Sequence, residues 1–408
     1  MTTETYLFNR IDILRQFTLL VIINTFVGGM IGLERTVLPL IAEADFGITS
    51  KAAAISFIVS FGLTKALVNL AAGTWADRWG RKRILLMGWV AGIPVPFLIM
   101  FATNWVWIVL ANVLLGVNQA LAWSMTLVMK IDLAGDRRRG LAIGLNEFAG
   151  YTGLAVLAAA SAFVATRYGL RPEPFYLGVS IVFAGLVFSL FVRETSTDNE
   201  RKGERFPART IFRQVSFSSP TLSRACVGGL VVNLKDGVLW GLMPMFLVSK
   251  GLPVSDIGMV VAVYPATWGL TQILFGTVSD RIGRKTLITI GFGLQGMGII
   301  GLIVGQSLAG YLLASSVIGL GTAMVYPTLI ALVTDETEAS WRATALGAYR
   351  FWRDLGYAVG ALGAGIVADV YGVPSAMIVT VGLIVFVTAL FASMNYDPAR
   401  SSFGHHRE

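Results

Sequence analysis

The chain has 408 residues, of which 55% are hydrophobic and only 14% charged, and its formal net charge is +8. Soluble proteins carry about 25% charged residues, so this composition excludes a soluble enzyme and indicates a membrane protein. The one cysteine cannot form an internal disulfide, and both histidines lie among the last four residues. We therefore expect neither a bound metal nor a cofactor.

Apolar runs interrupted by charged residues, glycine and proline predict twelve membrane-spanning helices. In chain order, their approximate bounds are 16–38, 50–71, 84–103, 106–129, 141–165, 174–192, 222–248, 256–275, 286–306, 308–331, 343–366 and 373–393. Twelve spans of about 20 residues account for nearly all of the apolar residues. The predicted fold class is therefore an all-α integral membrane protein.

The lysine and arginine residues favour one side of the predicted membrane. If the N-terminus is cytoplasmic and the first and last three residues of each span are counted with the adjoining side, 23 of them lie on the cytoplasmic side, four on the opposite side and five within spans. This bias is typical of cytoplasmic loops and predicts that both termini lie in the cytoplasm. Since topology explains the positive charge, we expect the chain to contact the lipid bilayer of the cell's inner membrane and not nucleic acid.

One ten-residue motif occurs twice in the chain. The segment from Gly73 to Lys82 recurs from Gly276 to Lys285, an offset of 203 residues, and the same offset relates Asp132 to Asp335. Two six-helix halves in the same orientation are therefore predicted, related by an axis along the membrane normal. The predicted domains are an N-terminal bundle at 1–192, a cytoplasmic linker at 193–220, a C-terminal bundle at 221–396 and a cytoplasmic tail at 397–408.

With the pattern Gly-x-x-x-Asp-Arg-x-Gly-Arg-Lys in both halves, the chain resembles the major facilitator superfamily over its whole length. The resemblance implies a two-bundle carrier that works by alternating access, with spans 1, 4, 7 and 10 lining a cavity and spans 2, 5, 8 and 11 forming the moving faces. The length and the acidic residue in span 1 are similar to those of proton-coupled drug exporters. Two features depart from that narrower pattern: Asn112 stands where the exporters carry arginine, and residues 150–163 contain no proline.

The repeated motif supplies a candidate cytoplasmic gate. Asp77 and Asp280 precede the turns between spans 2 and 3 and between spans 8 and 9, where each carboxylate can dock at the positively charged start of span 11 or span 5. The motif's cations alternatively serve only to set topology at the anionic inner leaflet. The gate prediction comprises Gly73, Asp77, Arg78, Gly80, Arg81, Gly276, Asp280, Arg281, Gly283 and Arg284.

Acidic residues within spans are the candidate proton sites, because each costs about 2.5–3.5 kcal/mol in lipid unless it is paired or protonated. The candidates are Glu34, Asp236 and Glu147. Glu34 is favoured, since it lies in a cavity-lining span and the neighbouring Arg35 can reach outward. Adjacent residues point about 100° apart on a helix, so we expect Lys235 and Asp236 to have separate partners. Asp236 and Glu147 alternatively form structural ion pairs.

The fourth acidic residue, Asp354, is expected to pair with Arg350 one helical turn earlier, with Arg353 on the same face. The alternative hypothesis is an ion pair between Lys65 and Asp354 that joins the two domains when the cytoplasmic side is closed and separates when it opens. Lys65 in span 2 lies at a similar predicted depth, on a helix expected to face span 11. The predicted inter-domain ion pairs therefore involve Lys65, Arg350, Arg353 and Asp354.

Polar residues at cavity-lining positions are the candidate substrate contacts, namely Asn24, Asn112, Gln119, Asn233, Lys235 and Tyr326. Each alternatively makes a hydrogen bond between helices, as is common in membrane bundles. Nearby aromatic and methionine side chains favour an amphipathic organic substrate.

The sequence thus predicts a monomeric secondary active transporter that exports a small organic solute in exchange for protons. An importer or exchanger of an anionic metabolite is the alternative, because the spans hold five cations against four acids. A receptor or scaffold would leave the gate motifs and buried charges unexplained. A membrane enzyme is disfavoured because no histidine-rich or Ser/His/Asp constellation lies within the spans, and the missing Gly-x4-Gly-Lys-Ser/Thr loop argues against ATP-driven transport.

Overall fold

The computed structural model describes residues 10–135, 139–195, 207–338 and 341–394, without the side chains at 10, 74, 77, 139, 140, 276, 277, 280 and 343. All regular elements in these ranges are helices. The N-terminal half contains α1 (Arg10–Arg35), α2 (Leu38–Ala44), α3 (Lys51–Ala54), α4 (Ser56–Trp79), α5 (Arg81–Gly92), α6 (Pro94–Met100), α7 (Trp105–Ala134), α8 (Arg139–Tyr168) and α9 (Pro174–Leu190). The C-terminal part contains α10 (Ala208–Arg213), a π-helical turn (Gln214–Ser218), α11 (Pro220–Ser249), α12 (Val254–Ile282), α13 (Arg284–Val304), α14 (Leu308–Asp335), α15 (Arg342–Tyr371) and α16 (Val373–Ala392).

These helices make twelve passes, of which the first three are each built from two consecutive helices. Prolines near the starts of α2 and α6 account for two of the breaks, because proline fits the first turn of a helix better than its interior. Within the described residues, ten passes are long and apolar enough to cross a membrane. The remaining two are α9, with 17 residues, and α15, which carries buried charges. The prediction of an all-α membrane protein is confirmed.

The repeated motif is helical over most of its length, although the approximate bounds predicted from the sequence end span 2 at residue 71 and begin span 3 at residue 84. The α4 helix continues past the predicted end at residue 71 to Trp79, and α5 begins at Arg81. Gly80 alone makes the turn, with φ +87°, and Gly283 does the same between α12 and α13 with φ +94°. Glycine adopts this left-handed backbone without steric cost, so one residue suffices.

The two largest contacts between the halves are α4 packed against α15 and α8 packed against α12. Inside each half, the corresponding close pairs are α1 with α8 and α11 with α15. Repeat-related glycines allow these close approaches. A Cβ added at Gly153 would lie 1.9 Å from the Thr25 carbonyl oxygen, and one at Gly356 would lie 2.2 Å from that of Leu230. The sequence repeat therefore extends to helix packing.

Replacing Gly153 with leucine is expected to lower the Tm of the purified protein, because the side chain would push α8 away from α1. Overpacking of this kind costs about 1–3 kcal/mol. Thermal unfolding in detergent, followed by tryptophan fluorescence, measures the change. Gly144 is the matched control, since a Cβ there meets only Ile273 at 3.8 Å. Equal Tm values for Gly153→Leu and Gly144→Leu would contradict the packing argument.

Candidate substrate cavity

A narrow cavity lies between the two halves near the middle of the bundle. The space open to the centre of a water molecule is about 20 Å³, room for one or two waters. The cavity is therefore too small for an organic solute unless the halves separate. Seven helices supply its walls, through Ile31, Lys65, Asn69, Gln119, Trp123, Ser124, Glu147, Tyr151, Leu154, Trp240, Tyr326, Arg350, Arg353 and Tyr357.

A hydrogen-bonded network crosses the cavity from one half to the other. Ser124 Oγ donates to Asn69 Oδ1 at 3.1 Å, and Asn69 Nδ2 donates to Asp354 Oδ2 at 2.6 Å. The other carboxylate oxygen of Asp354 accepts from Arg353 Nη2 at 2.8 Å. Arg353 Nη1 donates in turn to the Tyr326 hydroxyl at 2.6 Å. The network links α7 and α4 of the N-terminal half to α15 and α14 of the C-terminal half.

This network corrects the expected partners of Asp354. Its ion pair is with the adjacent Arg353 and not with Arg350, and Lys65 has no carboxylate within 4 Å in the described part of the chain. Because α4 extends farther than predicted, the residue opposite Asp354 is Asn69, one turn beyond Lys65. Lys65 Nζ lies instead 5.5–5.7 Å from the ring centres of three aromatic residues, Phe61, Trp123 and Tyr357.

Glu147 is the one candidate proton site that lines the cavity. Its Oε1 accepts from Trp123 Nε1 at 2.9 Å and from Asn146 Nδ2 at 3.0 Å, whereas Oε2 is buried and accepts no hydrogen bond from the described residues. Lys130 lies near it, fully buried, with Nζ 3.2 Å from the Leu20 carbonyl oxygen. A buried carboxylate with one unsatisfied oxygen is costly when ionised and much less so when protonated.

Aromatic rings form one wall of the cavity. Tyr151 of α8 stacks on Trp268 of α12, with ring centres 3.6 Å apart. Trp123 contacts Tyr151 edge-on at 5.5 Å, and Trp268 contacts Tyr326 edge-on at 5.2 Å. The wall therefore spans both halves. It can bind a flat apolar group by stacking or edge contacts.

Lys235 and Asp236 do not line the cavity. They pair directly, with Lys235 Nζ 2.6 Å from Asp236 Oδ1, and the Tyr264 hydroxyl and Thr322 complete the cluster. The expectation of separate partners is wrong, because the lysine side chain is long enough to curl back to its neighbour's carboxylate. All four groups lie within the C-terminal half on α11, α12 and α14.

Glu34 and Arg35 are both fully buried, so the expectation that Arg35 reaches outward is wrong. Its guanidinium lies between rings of the two halves, with its central carbon 4.8 Å from the Phe61 ring centre and 4.9 Å from that of Trp240. The Glu34 carboxylate faces Arg35 and the Asn112 amide without a hydrogen bond of normal geometry. Glu34 lies outside the cavity lining.

The uncharged candidates divide between cavity and helix contacts. Gln119 and Tyr326 line the cavity, although Gln119 Nε2 also donates to the Val27 carbonyl oxygen at 2.8 Å. Asn24 Nδ2 donates to the Asn146 carbonyl oxygen at 2.6 Å, and Asn112 Nδ2 donates within its own helix. Asn233 Nδ2 lies 3.3 Å from Asp354 Oδ1. Asn24, Asn112 and Asn233 therefore follow the alternative prediction of helix-to-helix or local hydrogen bonds.

The gate motif has corresponding ion pairs in the two halves. Arg81 pairs with Asp132, and the repeat-related Arg284 Nε lies 3.0 Å from Asp335 Oδ2. Arg78, Arg281 and Gly73 are exposed, and the turn glycines Gly80 and Gly283 have been described above. The side chains of Asp77 and Asp280, together with Gly276, lie outside the described residues, so their docking stays a prediction.

At the end of the bundle opposite the start of α1, which we call the distal end, the halves touch directly. The Asp369 carboxylate of α15 accepts from Ser50 Oγ at 2.8 Å and from the backbone N–H groups of Lys51 and Ala52 at the start of α3. Nearby, a Cβ added at Gly365 would lie 2.6 Å from the Ala52 Cα. The distal end is therefore closed in this structure.

Sequence reasoning missed the buried Lys130 and several groups that line the cavity. Lys130 was counted as a cytoplasmic cation because the predicted span ended one residue before it, whereas α7 continues to Ala134. Asn69 and Ser124 carried no signal beyond being polar residues in apolar runs. Tyr151 and Tyr357 could have been found, since each is a polar aromatic residue on a helix that the resemblance assigns to the moving faces.

Comparisons with known proteins agree with this architecture. The model of a family described as Major Facilitator Superfamily matches residues 19–361 and 225–406. Multidrug resistance protein MdtG of Klebsiella pneumoniae (strain 342) is 22% identical over 378 residues, which cover 90% of each chain. The crystal structure of nucleoside transporter NupG is similar with a TM-score of 0.75 at 14% identity, covering 94% of this chain and 100% of that one. The crystal structure of a bacterial homologue of the human lysosomal transporter Spinster, inward-facing and unoccupied, is similar with a TM-score of 0.75 at 16% identity. The match covers 94% of this chain and 97% of that one.

Proposed function

The chain belongs to the major facilitator superfamily of membrane transporters, and from this premise we propose that it is a proton-coupled secondary active transporter of a small organic solute. Glu147 carries the proton in this proposal. The observation on which it rests is the buried Glu147 carboxylate, which lines the cavity between the halves and has one oxygen without a hydrogen-bond donor among the described residues.

Transport requires that the cavity open to each side of the membrane in turn. The α4–α15 and α8–α12 contacts are the surfaces along which the halves would rock. The end of the bundle at which α1 begins would face the cytoplasm, because 23 of the 32 lysine and arginine residues favour that side. Closure of the distal end would then leave Glu147 able to exchange its proton only with the cytoplasm.

The direction of transport depends on how solute and proton affect each other's binding. The sequence predicts export in exchange for protons, which requires that bound solute and bound proton exclude each other. A positively charged solute would exclude the proton by binding the ionised Glu147 carboxylate. The name of the MdtG relative supports export. A negatively charged solute would instead favour the protonated carboxyl, and solute and proton would then move together.

Two carboxyl variants test this proposal. Purified protein in proteoliposomes is given a pH gradient, and movement of two aromatic solutes of fixed charge is followed: 1-naphthalenesulfonate and trimethyl(1-naphthylmethyl)ammonium. The wild type is expected to move one of them against its concentration gradient. Glu147→Gln should lose this movement because the amide carries no titratable proton, whereas Glu34→Gln, outside the cavity, should retain it.

Two results would refute the proposal. One is gradient-driven movement by Glu147→Gln at the wild-type rate, and the other is no response of either solute to the pH gradient in the wild type. Loss of movement in Glu34→Gln alone would return the proton site to span 1, where the sequence first placed it.

A further inference from the structure

We propose, building on the proposed function, that the transported solute is an aromatic organic anion whose acidic group binds Lys65 and Arg350. Solute and proton then enter the cavity together, so that the carrier is a symporter. Four features carry this inference: two cations that have no carboxylate or hydrogen-bond acceptor among the described residues, the charge balance of the cavity, the aromatic wall and the position of Glu147.

Lys65 is 7% exposed and lines the cavity, yet no acceptor satisfies its ammonium group among the described residues. Asp354, the acid on the facing helix α15, already accepts hydrogen bonds from Arg353, Asn69 and Asn233. Three aromatic rings surround the ammonium and hold it by cation–π attraction. Its N–H donors therefore remain available to a ligand in the cavity.

Arg350 is the second such cation. It lines the same cavity from α15 and makes no hydrogen bond or ion pair within the described ranges, whereas the neighbouring Arg353 is fully engaged. A guanidinium offers donors in a fork that matches carboxylate, sulfonate and phosphate oxygens. Lys65 and Arg350 approach the cavity from different halves, so an anion bound to both would hold the halves together.

The charges around the cavity do not balance. Its lining contains three cations, Lys65, Arg350 and Arg353, and one acid, Glu147. Asp354, which does not line the cavity, neutralises Arg353 through their ion pair. Among the described residues, these groups leave one positive charge uncompensated when Glu147 is ionised and two when it is protonated. In a site with little water, excess positive charge attracts an anion and opposes a cation.

The aromatic wall determines which kind of solute can bind beside the acidic group. Trp123, Tyr151 and Tyr326 line the cavity beside the two cations, and Trp268 stacks behind Tyr151. Such faces bind flat rings better than flexible chains. A single ring system bearing one acidic group therefore matches both the charge and the shape of the lining.

The coupling between solute binding and proton binding follows from the groups around Glu147. The charged and titratable groups that face it are Lys65 from α4, Lys130 from α7, Arg350 from α15, Tyr326 from α14 and Tyr151 from its own helix. Two further helices place uncharged groups beside its neighbours on α8: α1 places the Asn24 amide against Asn146, and α12 places the Trp268 ring against Tyr151.

Either the ionised Glu147 or a bound anion can therefore neutralise Lys65 and Arg350. An anion that binds them removes the attraction that keeps the carboxylate ionised and adds repulsion against it. Anion binding consequently favours protonation of Glu147, and by reciprocity protonation favours anion binding to the same degree.

Binding of probes whose charge does not change with pH tests the inference. Purified full-length protein in detergent is titrated with 1-naphthalenesulfonate, trimethyl(1-naphthylmethyl)ammonium and 1-naphthalenemethanol, and Kd is measured by calorimetry between pH 5 and pH 9. The sulfonate should bind most tightly. Its affinity should rise by up to about tenfold for each unit of acidification until the carboxyl is fully protonated. In Glu147→Gln, the affinity should be high and independent of pH.

Charge variants locate the anion. Lys65→Gln and Arg350→Gln should each weaken sulfonate binding about ten- to hundredfold, since each removes a charged hydrogen-bond partner. Neither should change binding of the neutral alcohol. Lys65→Arg should preserve most of the sulfonate affinity, and Arg350→Lys should keep more of it than Arg350→Gln because it retains the charge but loses the fork. Lys250→Gln, an exposed cation at the distal end, is the matched control and should leave all three affinities unchanged.

Several outcomes would overturn the inference. Tighter binding of the quaternary ammonium probe, with affinity that falls on acidification, would make the carrier a cation/proton antiporter while leaving the proposed role of Glu147 intact. Failure of the sulfonate to bind, or sulfonate binding insensitive to both Lys65→Gln and Arg350→Gln, would remove the anion site. Affinities independent of pH in the wild type would contradict both the symport inference and the proposed proton coupling.

Discussion

Replacing Asp354 with asparagine is expected to lower the free energy of unfolding by about 3–5 kcal/mol, one of the two largest effects in the molecule. The carboxylate is fully buried and accepts hydrogen bonds from Arg353, Asn69 and Asn233. Asparagine keeps the shape but leaves the Arg353 guanidinium in the protein interior without a counter-charge. Thermal or denaturant unfolding in detergent measures the loss.

The double variant Arg353→Gln/Asp354→Asn separates charge from packing. Because it removes both charges, it should recover most of the stability lost in Asp354→Asn. Asp256→Asn, at the start of α12, is the matched control and should leave the Tm nearly unchanged. Equal Tm values for Asp354→Asn and this control would mean that the network between the halves does not stabilise the fold.

The second large effect is expected from Gly365→Leu at the distal end. In the closed structure, α15 approaches α3 so closely that an added side chain would collide with the Ala52 backbone. Overpacking of about 1–3 kcal/mol would disfavour distal closure about 5- to 150-fold. Because the halves can still separate, the protein should fold with an unchanged Tm but transport far more slowly in proteoliposomes.

Gly363 on the same helix provides the comparison, since no atom lies within 4 Å of a Cβ added there. Gly363→Leu should transport at the wild-type rate. A cysteine introduced at the cavity position Ser124 should be labelled more readily from the distal side in Gly365→Leu than in Gly363→Leu. Equal labelling and equal rates would mean that the close approach at residue 365 does not control access.

The repeat and the apolar runs were sufficient to predict the architecture, because lipid exposure constrains every span in the same way. Side-chain partners were harder, since they depend on register at the scale of one helical turn. The unforeseen extension of α4 moved Asn69, and not Lys65, to the position opposite Asp354. Periodicity also could not show that Lys235 bends back to Asp236, or that α7 carries Lys130 into the interior.

Glu147 was among the predicted proton sites, but sequence alone ranked it below Glu34. The ranking relied on depth and on the helix expected to line the cavity, and both measures ignore which way a side chain points. Only the positions of neighbouring groups distinguish the two acids: Glu147 meets Trp123 at the cavity, and Glu34 faces Asn112 within the N-terminal half.

The stacked pair of Tyr151 and Trp268 gives the protein an intrinsic optical signal. The rings belong to different halves, with centres 3.6 Å apart, so any motion that separates α8 from α12 must also separate them. Indole emission depends on close ring contacts and on access to water. The chain has ten tryptophans, so the signal is read in a variant that keeps only Trp268. Its fluorescence should change with each opening of the cavity, and Tyr151→Leu should remove that change. The conformational cycle of this carrier can then be followed in real time without attaching a dye.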